Sequence, residues 1–155
     1  MTTSSPERPL TTGEVEMARS VFGEAVDYGS VRLVRRKWWP FQPKGIVMAP
    51  CGHIHFHPQD AHWREDFATA EWNLQGLFIH EMTHVWQAQR AGRYYLPLMR
   101  HPFCRYAYSY RPGRPFLRYG LEQQAELVRH GFLQRRGIKP LRAADLPEIE
   151  AILPF

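Results

Sequence analysis

Three side chains in the stretch LFIHEMTHVWQ, residues 77 to 87, have the types and spacing to bind and use a metal ion. His80 and His84 are four residues apart, so on a helix their imidazoles lie about 40° apart around the axis and share one face. Glu81 is beside them, where its carboxylate could take a proton from a water on the metal and pass it to a leaving amine. The pattern predicts a hydrolytic metal site, with one Zn²⁺ per chain.

The helix around this motif should pack on one side and leave the polar trio on another. Relative to His80, the packing arc contains apolar residues that lie about 120° to 260° around the axis; these are Leu74, Phe78, Ile79, Met82, Val85 and Trp86. His80 and His84 fall outside that arc. The helix therefore has a core side and a separate side available for a site.

A third protein ligand is needed, because catalytic zinc takes three and leaves the fourth position to water. The later stretch EQQAE offers Glu122 and Glu126, four residues apart and on one helix face. The packing side of that helix is Leu121, Ala125, Val128 and Phe132. Either carboxylate could reach a metal, since a helix rotation of only about 40° separates them.

HExxH followed by a helix with E-x-x-x-D/E resembles the gluzincin branch of zinc metallopeptidases. The resemblance implies that Glu122 is the third metal ligand and that Glu126 supports a ligand imidazole, with Glu126 standing where many gluzincins carry Asp. GHIHFHP, LFIHEMTHVWQ and YGLEQQAELV together are similar to Vgr-related metallopeptidase domains and to HExxH domains of bacterial toxins and contractile injection systems. This similarity covers roughly residues 13 to 136. It implies a zincin-like fold, a peptide or protein substrate, and spike or toxin components as partners.

Other residues are candidates for supporting roles. A peptidase needs a donor for the developing oxyanion, and the candidates are Tyr110, Tyr119 and His130, with Arg118 as a cationic alternative. The alternating His53, His55 and His57 suggest either a second metal site or, the favoured interpretation, a half-exposed edge strand that turns Ile54 and Phe56 inward.

Charge suggests an alternative function. The chain has a formal net charge of +5, and no acidic residue occurs between Glu81 and Glu122. Arginines and tyrosines fill residues 90 to 118, which could form the contact surface of a non-catalytic, zinc-containing binding or assembly module, for a protein partner or, less readily, for nucleic acid. A solvated basic face is the simpler interpretation.

The 155 residues predict a flexible leader over residues 1–10 and a single α+β domain over residues 11–155, in which a short sheet packs on the HExxH helix beside the EQQAE helix. No apolar run suits a bilayer span or signal peptide. We therefore expect no membrane partner, and either a cytoplasmic location or export by a dedicated injection apparatus. Two cysteines, Cys51 and Cys104, suit a reduced compartment, with one bridge left open.

Overall fold

A three-stranded sheet and four helices make up the part of the chain that the computed structural model describes, residues 5–92, 96 and 105–155. The sheet has the order β1 (Glu7–Pro9), β2 (Arg32–Val34), β3 (Ile54–His55), with β1 antiparallel and β3 parallel to β2. The helices are α1 (Thr12–Phe22), α2 (Trp72–Ala91), α3 (Leu121–Arg135) and α4 (Leu146–Glu150). The predicted α+β class is confirmed.

Two reciprocal hydrogen bonds fix the start of the first helix. The Thr11 side chain accepts a hydrogen bond from Glu14 N, and the Glu14 side chain accepts one from Thr11 N, which forms a capping box. Glu14 is fully buried and also accepts bonds from both Nη atoms of Arg8 and from Phe67 N. Residues 7–9, which the sequence assigns to a flexible leader, instead form β1, which pairs with β2, and Arg8 within it is held by this buried carboxylate.

Helices α2 and α3 pack closely against each other. Gly76 permits the approach, since a Cβ built at this position would lie 3.3 Å from Leu133 Cδ1 and 3.4 Å from Arg129 Cγ. All residues of α2 from Phe78 to Ala88 are buried. The side of α2 that carries His80 and His84 is therefore largely covered, chiefly by α3.

An aromatic stack joins the sheet to α2. The ring of Phe56 stacks on Phe67 with centroids 5.6 Å apart, and Phe67 stacks on Phe78 at 5.7 Å. Ile54 and Phe56 are buried while His53, His55 and His57 are half-buried, as the edge-strand interpretation predicts. A turn at Pro50 and Cys51 lies between two extended stretches, and Met48 pairs with His55 across it.

The alternation of Tyr106, Tyr108 and Tyr110 suits a strand or an extended segment, and residues 105–110 belong to no strand in the structure. Cys104, and with it the open question of a bridge to Cys51, lies outside the described residues, as do residues 93–95 and 97–103 of the basic segment. None of the described helices is both long and apolar enough to cross a bilayer.

Candidate metal centre

Two helices bring the three predicted ligands to one point. His80 Nε2 and His84 Nε2 on α2 each lie 3.1 Å from the same atom, Oε2 of Glu122 on α3. One ligand atom from each residue lies within 4.8 Å of the other two, and all three side chains are buried. Within the described residues this His80, His84 and Glu122 group could hold a metal ion.

The second imidazole nitrogen of His80 faces a different carboxylate. Its Nδ1 lies 2.9 Å from Oε1 of Glu126, one helical turn after Glu122. A ring nitrogen that donates its hydrogen there leaves the Nε2 lone pair directed at Glu122. The structure thus places Glu122 beside both imidazole Nε2 atoms and Glu126 on the far side of one ring.

Residues of both helices hold the His84 ring in the same way. Its Nδ1 lies 2.8 Å from Oε1 of Gln87, and the Gln87 Nε2 donates to Leu121 O at 3.1 Å and to Gln124 Oε1 at 2.9 Å. Gln124 Nε2 in turn donates to Tyr119 O. Because the Gln87 amide nitrogen has two acceptors, its oxygen must face His84, which commits the His84 hydrogen to Nδ1.

These outward hydrogen bonds leave three electron-rich atoms facing one another. Both Nε2 lone pairs and the Glu122 carboxylate oxygen converge, an arrangement that requires a proton or a metal ion between them. Burial alone would lower the pKa of His80, but hydrogen bonds to Glu122 and Glu126 and the charge of Glu81 raise it to about 9. The site is therefore strongly attractive to cations.

Glu126 is itself held as a carboxylate by its neighbours on α3. Arg129 Nη2 lies 2.9 Å and His130 Nε2 lies 3.2 Å from Glu126 Oε2. Burial alone would raise the pKa of Glu126, but His130, His80 and Arg129 lower it far below its usual range. His130 is oriented in turn by the Tyr108 hydroxyl, 2.6 Å from its Nδ1.

A surface cleft of about 330 Å³ opens beside Glu81. Apart from Glu81 and His80, its polar lining comprises His62, Asn73, Tyr106, Glu126 and Arg129, and its apolar lining includes Ile46, Val47, Leu74 and Leu77. The Tyr106 ring stacks on the His80 ring, with centroids 5.8 Å apart and an angle of 19° between the planes. Glu81 therefore forms part of the wall of this cleft, next to the three candidate metal ligands.

The predicted oxyanion donors do not line this cleft. The Tyr119 hydroxyl accepts a hydrogen bond from Arg111 N, and His130 is engaged by Glu126 and Tyr108. Tyr110, like these two, is not among the lining residues. Arg118 is likewise elsewhere, in a short 3₁₀ turn before α3.

Two other residues with N–H or O–H groups are better placed, and sequence reasoning missed both. His62 lines the cleft, and its Nδ1 lies 3.0 Å from Oδ1 of the buried Asp60. Tyr106 lines the same cleft beside His80. Both residues are far from the HExxH motif in sequence, so no local pattern could predict that they lie beside it. The position of Gln87 could be predicted, because it lies three residues after His84 and so shares its helix face.

The basic segment is only partly free to bind a partner. Arg114 lies over the Tyr119 ring at 4.9 Å, and Arg90 lies over the Trp86 ring at 5.5 Å. Arg105 is exposed. In the described part of the segment, at least two arginines thus contact aromatic rings of the chain itself.

Comparison with known proteins finds a similar fold in the domain of a bacterial effector. A solved structure of the effector domain of Pseudomonas aeruginosa VgrG2b superposes with a TM-score of 0.73 and 39% sequence identity, over 83% of this chain and 75% of that one. The type VI secretion system spike protein VgrG2b of Pseudomonas aeruginosa strain PAO1 is 41% identical over an alignment of 139 positions, which covers 83% of this chain but 13% of the spike protein. The chain thus spans a small part of that relative's length. No family model matches the chain.

Proposed function

Because the chain belongs to the family of the VgrG2b effector domain, we propose that it is the zinc-dependent peptidase domain of a secretion-system effector. The observation that carries this proposal is the convergence of His80 Nε2, His84 Nε2 and Glu122 Oε2 beside a cleft that also contains Glu81. We assign His80, His84 and Glu122 as the metal ligands and a zincin-like character to the domain.

The donor set fits Zn²⁺. Two neutral imidazole nitrogens and one carboxylate oxygen are ligands that zinc accepts, and three protein ligands leave one position for water or substrate. Glu126 and Gln87 accept the Nδ1 hydrogens of His80 and His84, which orients the Nε2 lone pairs inward. The same donors also accept other divalent ions, so metal analysis decides the identity of the ion.

Zn²⁺ bound at this site supplies a Lewis acid that lowers the pKa of water and polarises a peptide carbonyl. We assign Glu81 as the general base and then the general acid: its carboxylate takes a proton from the attacking water and returns it to the leaving amine. For the oxyanion we assign His62 and Tyr106 as donors, because both line the cleft that contains Glu81.

The substrate class that follows is a peptide or protein segment. Apolar lining residues, including Val47, Leu74 and Leu77, suit a side chain next to the scissile bond. As partners we propose components of the injection apparatus, since the relative is named as a type VI secretion system spike protein, and we propose export through such an apparatus.

The test combines metal analysis with a peptidase assay on purified, untagged protein. We expect one zinc per chain in the wild type, loss of zinc in Glu122→Gln, and cleavage of unfolded protein substrates by the zinc-loaded form. Glu81→Gln should retain zinc and lose cleavage by about a thousandfold, whereas Glu71→Gln, an exposed glutamate before the same helix, should behave like the wild type. Absence of metal after reconstitution, or full activity in Glu81→Gln, would refute the proposal.

A further inference from the structure

Exposed apolar side chains cluster in one loop outside the metal centre, residues 38–46, here called the aromatic loop. Trp38 is 40%, Trp39 is 44%, Phe41 is 77% and Ile46 is 49% exposed. The rings of Trp39 and Phe41 contact each other edge to face, with centroids 5.6 Å apart. Aromatic side chains of this size are usually covered, so several exposed together indicate a surface that meets a partner.

One buried residue, Gln42, fixes the loop conformation in which these apolar side chains are exposed. Gln42 is 2% exposed, and its side-chain oxygen accepts from Trp38 N at 2.8 Å. Its Nε2 donates to Ile46 O at 2.8 Å and to His55 O at 3.1 Å. The Gln42 amide therefore closes the loop and fastens it to the sheet edge. The hydrophobic side chains are held outward by a defined conformation.

The charged residues in the stretch of chain that contains the aromatic loop all have one sign. No acidic residue occurs in the sequence between Asp27 and Asp60. Arg36, Lys37 and Lys44 flank or lie within the loop and are exposed. The surface thus combines aromatic rings with cations and lacks nearby anionic side chains from its own stretch of chain.

We propose that the aromatic loop docks the domain on the surface of a bilayer that contains anionic lipid. Tryptophan rings are favoured at the level of the lipid headgroups, and Lys and Arg bind the phosphates of anionic lipids. Phe41 and Ile46 are suited to enter the acyl boundary. The sequence predicts no membrane partner because it has no span, but surface docking needs only this loop.

Charge complementarity and position favour a bilayer over a bound peptide. The 330 Å³ cleft is lined by Ile46 but not by Trp38, Trp39 or Phe41, so the rings stand outside the cavity that suits a peptide. Ile46 belongs both to the loop and to the rim of the cleft. A domain docked in this way holds the mouth of its cleft next to the lipid surface. The docking itself does not depend on peptidase activity.

The test is co-sedimentation of the full chain with vesicles of phosphatidylcholine alone and of phosphatidylcholine mixed with phosphatidylglycerol. We expect binding to the anionic vesicles, weakened by salt, with a blue shift of tryptophan fluorescence. Trp39→Ala with Phe41→Ala should lower the partition coefficient at least tenfold. Lys37→Glu with Lys44→Glu should lower it about fivefold for each lysine removed, and on anionic vesicles alone.

Matched controls separate the loop from general effects. Trp72→Ala and Leu141→Ala remove side chains that are 53% and 89% exposed on other elements, and Arg105→Glu reverses an exposed charge outside the loop. These variants, and Glu81→Gln, should bind vesicles like the wild type, and all variants should keep the wild-type circular dichroism spectrum. No vesicle binding by the wild type, or equal binding by the loop variants, overturns the proposal. Loss of peptide binding in the loop variants without vesicle binding would instead make the loop a protein contact and would also overturn it.

Discussion

His80 and Glu126 contact each other on the side of the imidazole that faces away from the converging ligand atoms. Nδ1 of His80 lies 2.9 Å from Oε1 of Glu126, while Nε2 of the same ring lies 3.1 Å from Oε2 of Glu122. Two glutamates one helical turn apart therefore contact opposite nitrogens of one histidine. This geometry supports the proposed division of roles, in which Glu122 binds the metal and Glu126 orients the ring of His80.

Replacing Glu126 by Gln should weaken metal binding without abolishing it. The amide keeps an acceptor for His80 Nδ1 but loses the negative charge, and changes of this kind typically cost about 10-fold to 100-fold in metal affinity. Competition with a chromophoric chelator measures the effect, with the exposed Glu16→Gln as a control. A complete loss of metal, equal to that in Glu122→Gln, would instead indicate that Glu126 is the metal ligand.

Gln87 offers a test of how the second imidazole is oriented. Gln87→Met removes the acceptor for His84 Nδ1 and leaves Leu121 O without its donor, so we expect about tenfold weaker metal binding and a loss of about 2 kcal/mol in the free energy of unfolding. Gln87→Glu retains the acceptor and should recover metal affinity but not stability. Metal titration and urea unfolding report the two effects separately, and equal metal affinity in both variants would contradict the assignment.

The raised pKa of His80 predicts how the metal-free protein responds to pH. A histidine has an ordinary pKa of about 6.5 in the unfolded chain and about 9 in the fold. Its protonation stabilises the native state fully below pH 6.5, and this contribution is lost as the pH rises to 9. Chelator-treated protein should therefore lose stability between these pH values in urea unfolding.

Two comparisons test whether His80 causes this dependence of stability on pH, here called the pH slope. The metal-free His80→Gln variant should lack it, because no group at this position takes up a proton. Binding of zinc to the wild type at neutral pH should release a proton, detectable with an indicator dye, because metal and proton compete for Nε2. A slope that persists in His80→Gln would assign the effect to another group.

The donors assigned to the oxyanion should affect turnover and not metal content. Removing one oxyanion donor typically costs about 100-fold or more in kcat, so His62→Ala and Tyr106→Phe should each lower kcat to about this extent with KM little changed. Tyr110→Phe serves as the matched tyrosine control, because Tyr110 does not line the cleft. A loss of kcat in Tyr110→Phe, with none in Tyr106→Phe, would favour the donor suggested by sequence.

The spacing of residues along the sequence predicted the candidate ligands of this site better than it predicted the residues that line the cleft beside them. The HExxH and EQQAE patterns each depend on one turn of helix, and Thr11 and Glu14 form their capping box within a single turn, so short-range geometry sufficed. The position of His62 and Tyr106 depends on how distant segments meet, which no local pattern reports. Residues 7–9 were missed as a strand for the same reason: Arg8 is ordered by a buried carboxylate from the next helix and not by apolar alternation.

The donor atoms of the site come from two helices separated by a long excursion of the chain. His84 and Glu122 are 38 residues apart, and their helices α2 and α3 pack against each other. An ion bound by both residues would act as a cross-link between the two helices. For a covalent cross-link across such a span, the chain-entropy model gives a stabilisation of about 4 kcal/mol, which is an upper limit for the ion. Removal of the proposed zinc should therefore abolish cleavage and also weaken the contact between α2 and α3, so protease sensitivity should rise in step with the loss of zinc.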